Sequence, residues 1–263
     1  MSGADEAGLR AAVFADPDAD APRAVYADWL MERGRAYGRF IDAQLRGDEA
    51  TARKHLPAAE DATRIPIDRF TRLEQSHAAG WELACFDRGF VSRVTIETQA
   101  MSYLSRDVWP VIQRMSLLAD DAGPLMNDIA TRLGRLSELI TNSVDVVELL
   151  TVRAPRVMKW LRVDSGTRWF DWSPLVGEQT RVQAHVGPLW LERTGRSVRL
   201  SASRRRFSHQ FPTERALRAL IPADANVVSE TAWGVAALSE EVRALMQRVP
   251  HATFEEQAMM VVG

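Results

Sequence analysis

The chain has a single cysteine, Cys85, in 263 residues. One thiol excludes an internal disulfide and any zinc site built from several cysteines. Its apolar surroundings, Trp81-Glu82-Leu83-Ala84-Cys85-Phe86, predict a buried thiol that acts as a small hydrophobe. No stretch approaches the roughly 20 apolar residues that a membrane-spanning helix needs. The first residues, Met1-Ser2-Gly3-Ala4-Asp5-Glu6, are acidic with no apolar run behind them, and Met1 is not followed by glycine. Neither a secretory leader nor a myristoylation site is expected, so the expected compartment is the cytoplasm. An excess of one charge is missing too. A formal charge of −2 argues against a general nucleic-acid binder, which is usually strongly basic. The histidines, His55, His77, His185, His209 and His251, show no H-x-x-x-H pair. There is no G-x-S-x-G, P-loop or G-x-G-x-x-G. No catalytic residue, metal or cofactor is therefore expected, although a dyad assembled only in space leaves no such trace.

What is present is the composition of an ordinary globular protein, with 46% hydrophobic and 26% charged residues. That is enough for a sizeable core, in one elongated body or two small domains. Residues 5 to 80 read as helical. Leu9, Ala12 and Val13 give a short apolar stripe, which Asp16-Pro17-Asp18 interrupts. Asp20 is the expected N-cap of a helix with Pro22 in its first turn and Val25, Trp29 and Leu30 at helical spacing beside Tyr26. Here Trp29 is expected in the core, and Arg23, Asp28, Glu32 and Arg33 on the helix surface or in interhelix pairs. Gly34 is placed to end that helix. The next carries Tyr37, Phe40, Ile41 and Leu45 and stops at Gly47. A charged segment follows from Asp48 to Lys54, with loops expected at Pro57 and Pro66 and a helix over 67–77.

The middle of the chain carries an echo, apolar-x-x-apolar-x-apolar. It appears as Val91-Ser92-Arg93-Val94-Thr95-Ile96, Ile112-Gln113-Arg114-Met115-Ser116-Leu117, Leu136-Ser137-Glu138-Leu139-Ile140-Thr141 and Met158-Lys159-Trp160-Leu161-Arg162-Val163, with a fainter copy at Gln179-Thr180-Arg181-Val182-Gln183-Ala184. The second apolar position recurs after 21, 24, 22 and 21 residues. Leucine-rich repeats run at about 20–29 residues, each unit stacking on its neighbours to complete a core. The asparagine or cysteine that such repeats place three residues after the last apolar position is replaced by Gln99, Asp120, Val144 and Gly166. The turns must then satisfy their backbone in another way. Helices are expected over 100–112, 125–133 and 144–152, and an aromatic stretch over 169–175. After Pro188 the register is lost. Residues 189–201 read as a β-hairpin, followed by helical segments over 214–220 and 239–249 and a final apolar strand or helix over 258–262.

The run from Ala15 to Gly34, Ala-Asp-Pro-Asp-Ala-Asp-Ala-Pro-Arg-Ala-Val-Tyr-Ala-Asp-Trp-Leu-Met-Glu-Arg-Gly, resembles the repeat-companion domain family. That family's signature is similar to A-D-P-x-D-D-x-P-R-L-V-Y-A-D-W-L-E-E-R-G, followed by a G-x-F-I-x-x-Q helix. Gly38-Arg39-Phe40-Ile41-Asp42-Ala43-Gln44 stands in the latter's place. The resemblance implies a short bacterial helical module beside leucine-rich repeats, with no activity attached. Arg88-Gly89-Phe90-Val91 likewise resembles the entry into a first repeat. The expected fold is α/β: a helical companion module over 1–85, degenerate leucine-rich-repeat-like units over 86–187, and a C-terminal hairpin with helices over 188–263 that closes the other end.

Strand alternation sends the residues between the apolar positions to the open face of the sheet. Arg93, Arg114, Glu138, Trp160, Arg162, Asp164, Arg181 and His185 are the candidate partner-binding residues. Arginine and tryptophan are enriched at binding hot spots, and Trp160 among Arg114, Arg162 and Arg181 suits a protein partner with acidic and apolar features. The expected function is a non-catalytic adaptor that binds a protein through this face. The opposing expectation is that the tail or the N-terminal helices cover it. Two other classes stay open: an enzyme or effector with its activity in the last 75 residues or so, and a nucleic-acid-linked regulator using Arg204-Arg205-Arg206.

Overall fold

The computed structural model describes residues 5–63, 85–96, 106–118, 123–164, 172–186, 189–202, 220–222, 224–231 and 253–258. The helices expected over 67–77 and 239–249 and the Arg204–Arg206 run lie outside the described residues, as do the helix expected over 214–220 except for Leu220 and residues 169–171 of the aromatic stretch. The chain forms two compact units. One comprises residues 1–115 with 132–136, the other 116–131 with 137–263. Helices and a mixed sheet make the overall class α/β. No helix among the described residues is long and apolar enough to cross a membrane.

The first unit starts with α1 (Glu6–Ala15), capped by Asp5, whose Oδ1 accepts from the Gly8 N–H at 2.6 Å. α2 (Asp20–Glu32) and α3 (Ala36–Leu45) follow. Gly34 and Gly47 stand just past their ends at φ +70°, the left-handed C-cap conformation that glycine adopts without a Cβ penalty. Asp20 is not the N-cap. Ala19 holds that position, and the Asp20 carboxylate instead accepts from Arg88 at 2.9 Å. The buried face of α2 also differs from the expected one. Arg23, Tyr26, Ala27 and Leu30 are buried, Val25 is 55% exposed, and Trp29 is half-buried, stacked on Tyr26 at 6.3 Å with Arg33 over its outer face at 3.9 Å. The expected charged segment and loop at Pro57 are one helix, α4 (Glu49–Thr63), with Pro57 inside it. An interior proline costs about 3 kcal/mol. Here α4 packs along α3 and buries Ala52, Ala59 and Thr63, which offsets that cost.

Glu6 ties three helices together. It accepts from the Tyr26 hydroxyl at 2.9 Å and from Arg35 at 2.6 Å. Burial pushes its carboxyl pKa up, but the hydrogen bonds and positive charge of Arg35, with Tyr26 beside it, outweigh burial and hold it below the ordinary glutamate value. A depressed pKa stabilises above the unfolded-state value and ceases to do so as pH falls through the folded-state value. The stability gap between wild type and Glu6→Gln is therefore full at pH 7 and closes as the pH is lowered past the ordinary glutamate range. Urea midpoints of the two proteins at pH 7, 5, 4 and 3 measure it, and a gap that stays constant refutes the assignment.

Past α4 the described chain resumes at Cys85, which is half-buried rather than buried. A two-residue hairpin joins β1 (Phe86–Asp87) to β2 (Phe90–Val91) through Arg88 at φ +48° and Gly89 at φ +88°. Two consecutive positive φ values are what a type I′ hairpin turn requires. β3 (Arg93–Ile96), a 3₁₀ helix (Arg106–Val111) that bears the buried Trp109, and the first half of β4 (Arg114–Leu117) complete this unit.

The second unit takes the rest of β4, α5 (Gly123–Ile129), β5 (Glu138–Thr141), α6 (Val144–Arg153), β6 (Trp160–Val163) and β7 (Arg181–Val186). The strands sit where the sequence echo placed them. β5, β6 and β7 pair in parallel, with Glu138, Trp160 and Arg181 in one row and Ile140, Arg162 and Gln183 in the next. The hairpin β8 (Leu189–Thr194) and β9 (Ser197–Ala202) then adds to β7 antiparallel, turning at Gly195 with φ +60°. β10 (Asn226–Thr231) and β11 (Thr253–Ala258) extend the order beyond β9, both in parallel pairings. The tail thus continues the sheet. The apolar strand or helix expected over 258–262 lies outside the described residues except for Ala258, where β11 ends.

The missing asparagines find substitutes. Thr141 is fully buried, and its hydroxyl oxygen accepts from the Ser143 N–H at 3.0 Å. Thr180, also fully buried, donates to the Met158 carbonyl at 2.7 Å and accepts from the Gly177 N–H at 2.8 Å. Arg193 is 3% exposed and donates to the carbonyls of Gly177, Glu178 and Gly195. Two threonines and one arginine thus satisfy buried turn backbone that would otherwise cost about 1–3 kcal/mol per group.

Candidate functional site

In β5–β8, alternation separates two faces. Leu139, Thr141, Leu161, Val163, Val182, Ala184 and Leu191 are buried on one. Glu138, Ile140, Trp160, Arg162, Arg181, Gln183, His185, Trp190 and Glu192 occupy the other positions. A polar and aromatic face therefore lies across a wall of aliphatic core, and the aliphatic side fixes its register: a one-residue slip would bury the arginines.

Two arginine–tryptophan stacks organise this face. The Arg181 guanidinium lies 5.4 Å from the centre of the Trp160 ring. That of Arg162 lies 5.6 Å from the centre of the Trp190 ring. His185, directly opposite Trp190 across the β7–β8 pair, meets that ring edge-on at 4.7 Å. Carboxylates hold the polar groups in place. Arg162 Nε donates to Asp164 at 3.0 Å, and Glu192 Oε1 accepts from Trp190 Nε1 at 3.0 Å and from Gln183 Nε2 at 2.9 Å. Gln183 Oε1 is buried and has no hydrogen-bond partner among the described residues. Arg181 is exposed and makes no ion pair among the described residues, so its guanidinium donors face outward.

Of the eight candidate residues, six lie in this unit: Glu138, Trp160, Arg162, Asp164, Arg181 and His185. Four of these, Trp160, Arg162, Arg181 and His185, belong to the two stacks. Trp160 and Arg162 are partly exposed, Arg181 is exposed, and His185 is buried at 6% exposure. Arg93 (exposed) and Arg114 (partly exposed) belong to the other unit, so the rows end at Glu138 here. Trp190 and Glu192 were not among the candidates. Their signal was the alternation Leu189-Trp190-Leu191-Glu192, which identified a hairpin but not the strand it pairs with. No group of three or more potential metal ligands occurs among the described residues.

The chain matches no protein-family model, no curated protein and no solved structure.

The face spans four strands and three side-chain rows, roughly 14 Å by 13 Å at the usual strand spacing and rise. That is about 200 Å², a quarter of the ~800 Å² each partner contributes to a standard protein–protein interface. Its tryptophans and arginines are of the residue types enriched at binding hot spots, and they are joined by stacking and hydrogen bonds.

Proposed function

We propose that this protein is a non-catalytic recognition module of the bacterial cytoplasm that binds a protein partner through the outer face of β5–β8. The N-terminal helices are read as a repeat-companion module and the strand–helix units as degenerate leucine-rich repeats. The observation that supports the binding reading most is the pair of arginine-capped tryptophans, Trp160 under Arg181 and Trp190 under Arg162, on the side of the sheet away from its aliphatic core. Their packing leaves little side-chain entropy to lose on binding. The charges of the face are nearly balanced, with Arg162 and Arg181 against Glu138, Asp164 and Glu192. Recognition therefore rests on ring surface and hydrogen-bond geometry, with Arg181 offering a site for one partner carboxylate.

The test compares wild type with Trp160→Ala/Arg162→Glu in affinity capture from the source cells, after both proteins are shown to melt at similar temperatures. Partners captured by wild type are expected to fall by about 100-fold or more, as removal of two hot-spot side chains implies. Equal recovery of the same partners by both proteins excludes the face as the site.

A further inference from the structure

Polar and aromatic contacts of the first unit gather at the hairpin of β1 and β2. They surround the five-residue turn Phe86-Asp87-Arg88-Gly89-Phe90, and the groups that surround it come from α1, α2 and α3. Arg23 Nη1 donates to the carbonyls of Asp87 and Arg88, both at 3.0 Å. The Tyr37 hydroxyl donates to the Gly89 carbonyl at 2.9 Å, and Gln44 Oε1 accepts from the Gly89 N–H at 2.6 Å. Side chains of α2 and α3 thus satisfy four main-chain groups on three consecutive turn residues.

Ring contacts complete the arrangement. Phe86 meets Phe40 edge-on at 5.0 Å. Phe90 lies among Phe14, Tyr26 and Tyr37 at 6.1, 6.0 and 6.5 Å, with the Arg23 guanidinium 4.9 Å from its centre. At Gly89 the turn meets Ile41 so closely that a Cβ would stand 2.5 Å from its Cγ1. Main-chain groups read by polar side chains, with pockets for flanking side chains, is the way peptide-binding domains take their ligands.

We propose that helices α1–α3 form a turn-binding site whose ligand class is a hairpin of the pattern Phe-x-Arg-Gly-Phe, filled in this chain by its own residues 86–90. The pattern follows from the contacts. The two phenylalanines fill ring pockets. The glycine is required both by φ +88° and by Ile41. The Asp87 position is held by Arg23 through its carbonyl. The Arg88 position is held both by its carbonyl and by its guanidinium, which donates to the Asp20 carboxylate at 2.9 Å and to the carbonyls of Asp18 and Pro17. This site is independent of the strand face of the other unit, and its failure leaves the proposed function untouched.

The test uses the full chain and a fluorescein-labelled, head-to-tail cyclised peptide with the sequence of residues 85–92. In wild type the covalently attached turn is present at an effective concentration of ~mM and keeps the site filled. Gly89→Ala vacates it. The peptide is expected to bind the Gly89→Ala chain in fluorescence anisotropy at least ~10-fold more tightly than wild type, with Arg23→Met/Gly89→Ala showing no binding. A peptide with alanine in place of its glycine is expected not to bind. Phe90→Ser, which removes a ring and leaves the turn backbone unstrained, is the second vacating variant. Hydrogen exchange on either variant is expected to show protection lost at 86–91 and kept in α2 and α3. Equal binding to wild type and both vacated chains overturns the proposal, as does no binding to either vacated chain. Loss of protection from α2 and α3 together with the turn overturns it too, because the helices are then no preformed site.

Discussion

Replacing Arg23 by methionine is expected to destabilise the first unit by about 3 kcal/mol, although the side chain stands on a helix whose sequence placed it at the surface. The guanidinium is fully buried and forks in two directions. Nη1 donates to the Asp87 and Arg88 carbonyls, and Nη2 donates to the Pro17 carbonyl at 2.7 Å. Pro17 keeps donors in the variant, because Arg88 and Arg135 also reach its carbonyl. The Asp87 and Arg88 carbonyls lose theirs, at about 1–3 kcal/mol for each buried acceptor left unpaired. The cation–π contact with Phe90 is lost as well, worth roughly 1 kcal/mol. Relief from burying a cation opposes these losses. Burial is the main cause that lowers the Arg23 pKa, with the positive charges of Arg88 and Arg135 adding to it while Asp87 and Asp20 oppose. Methionine keeps most of the packed volume, so the net loss reports the hydrogen bonds. Lysine is expected to recover little, since one ammonium group cannot span carbonyls on both sides as the planar fork does. Arg33→Ala, which removes a 44%-exposed cation from the outer face of Trp29, is expected to cost no more than about 1 kcal/mol. Urea unfolding followed by circular dichroism measures all three variants, and an Arg23→Met midpoint within error of Arg33→Ala sinks the account.

Arg23 also shows what the sequence can and cannot reveal. Two of its three carbonyl partners lie 64 and 65 residues away, and no local pattern separates an arginine buried against distant carbonyls from one in solvent. The same holds for Asp20, whose N-cap position was read from a local rule and whose carboxylate is committed to Arg88. Pro57 was read as a break because proline costs a helix locally, whereas packing on α3 is a tertiary term that the local rule omits. By contrast, β3 to β7 were legible because a strand buried on one face repeats its apolar positions whatever surrounds it. Gly34 and Gly47 were legible because a left-handed residue is a local demand. The face of β5–β8 falls between these cases. Alternation assigned its residues to one side, but the stacking of Arg162 on Trp190 needed the β7–β8 pairing, which no repeat predicts. The threonine and arginine turn closures at Thr141, Thr180 and Arg193 were foreseen only as a need, since many residue types can supply a hydrogen bond once the turn is closed.

Gly89→Ala is expected to cost about as much as Arg23→Met, from the opposite side of the same contact. Two penalties combine. At φ +88° an L-residue pays about 1–2 kcal/mol for a left-handed backbone. The new methyl group would also meet Ile41 at 2.5 Å from Cγ1 and at 2.8 Å from both Cα and Cβ. A rotamer change moves Cγ1, but Cα belongs to α3 and moves only with the helix, so the overlap costs about 1–3 kcal/mol while the turn stays seated. The turn escapes that cost by leaving α3, which gives up the bonds of its N–H to Gln44 and of its carbonyl to Tyr37. The expected total is about 2–5 kcal/mol, the sum of the two terms. Ile41→Ala in the Gly89→Ala background isolates one part of the steric term. It removes the Cγ1 contact and leaves those with Cα and Cβ, so the double variant is expected to be more stable than the sum of the two single losses by roughly 1 kcal/mol. Additive losses in that cycle, read from urea midpoints, show that the contact of the turn with Ile41 Cγ1 carries no energy.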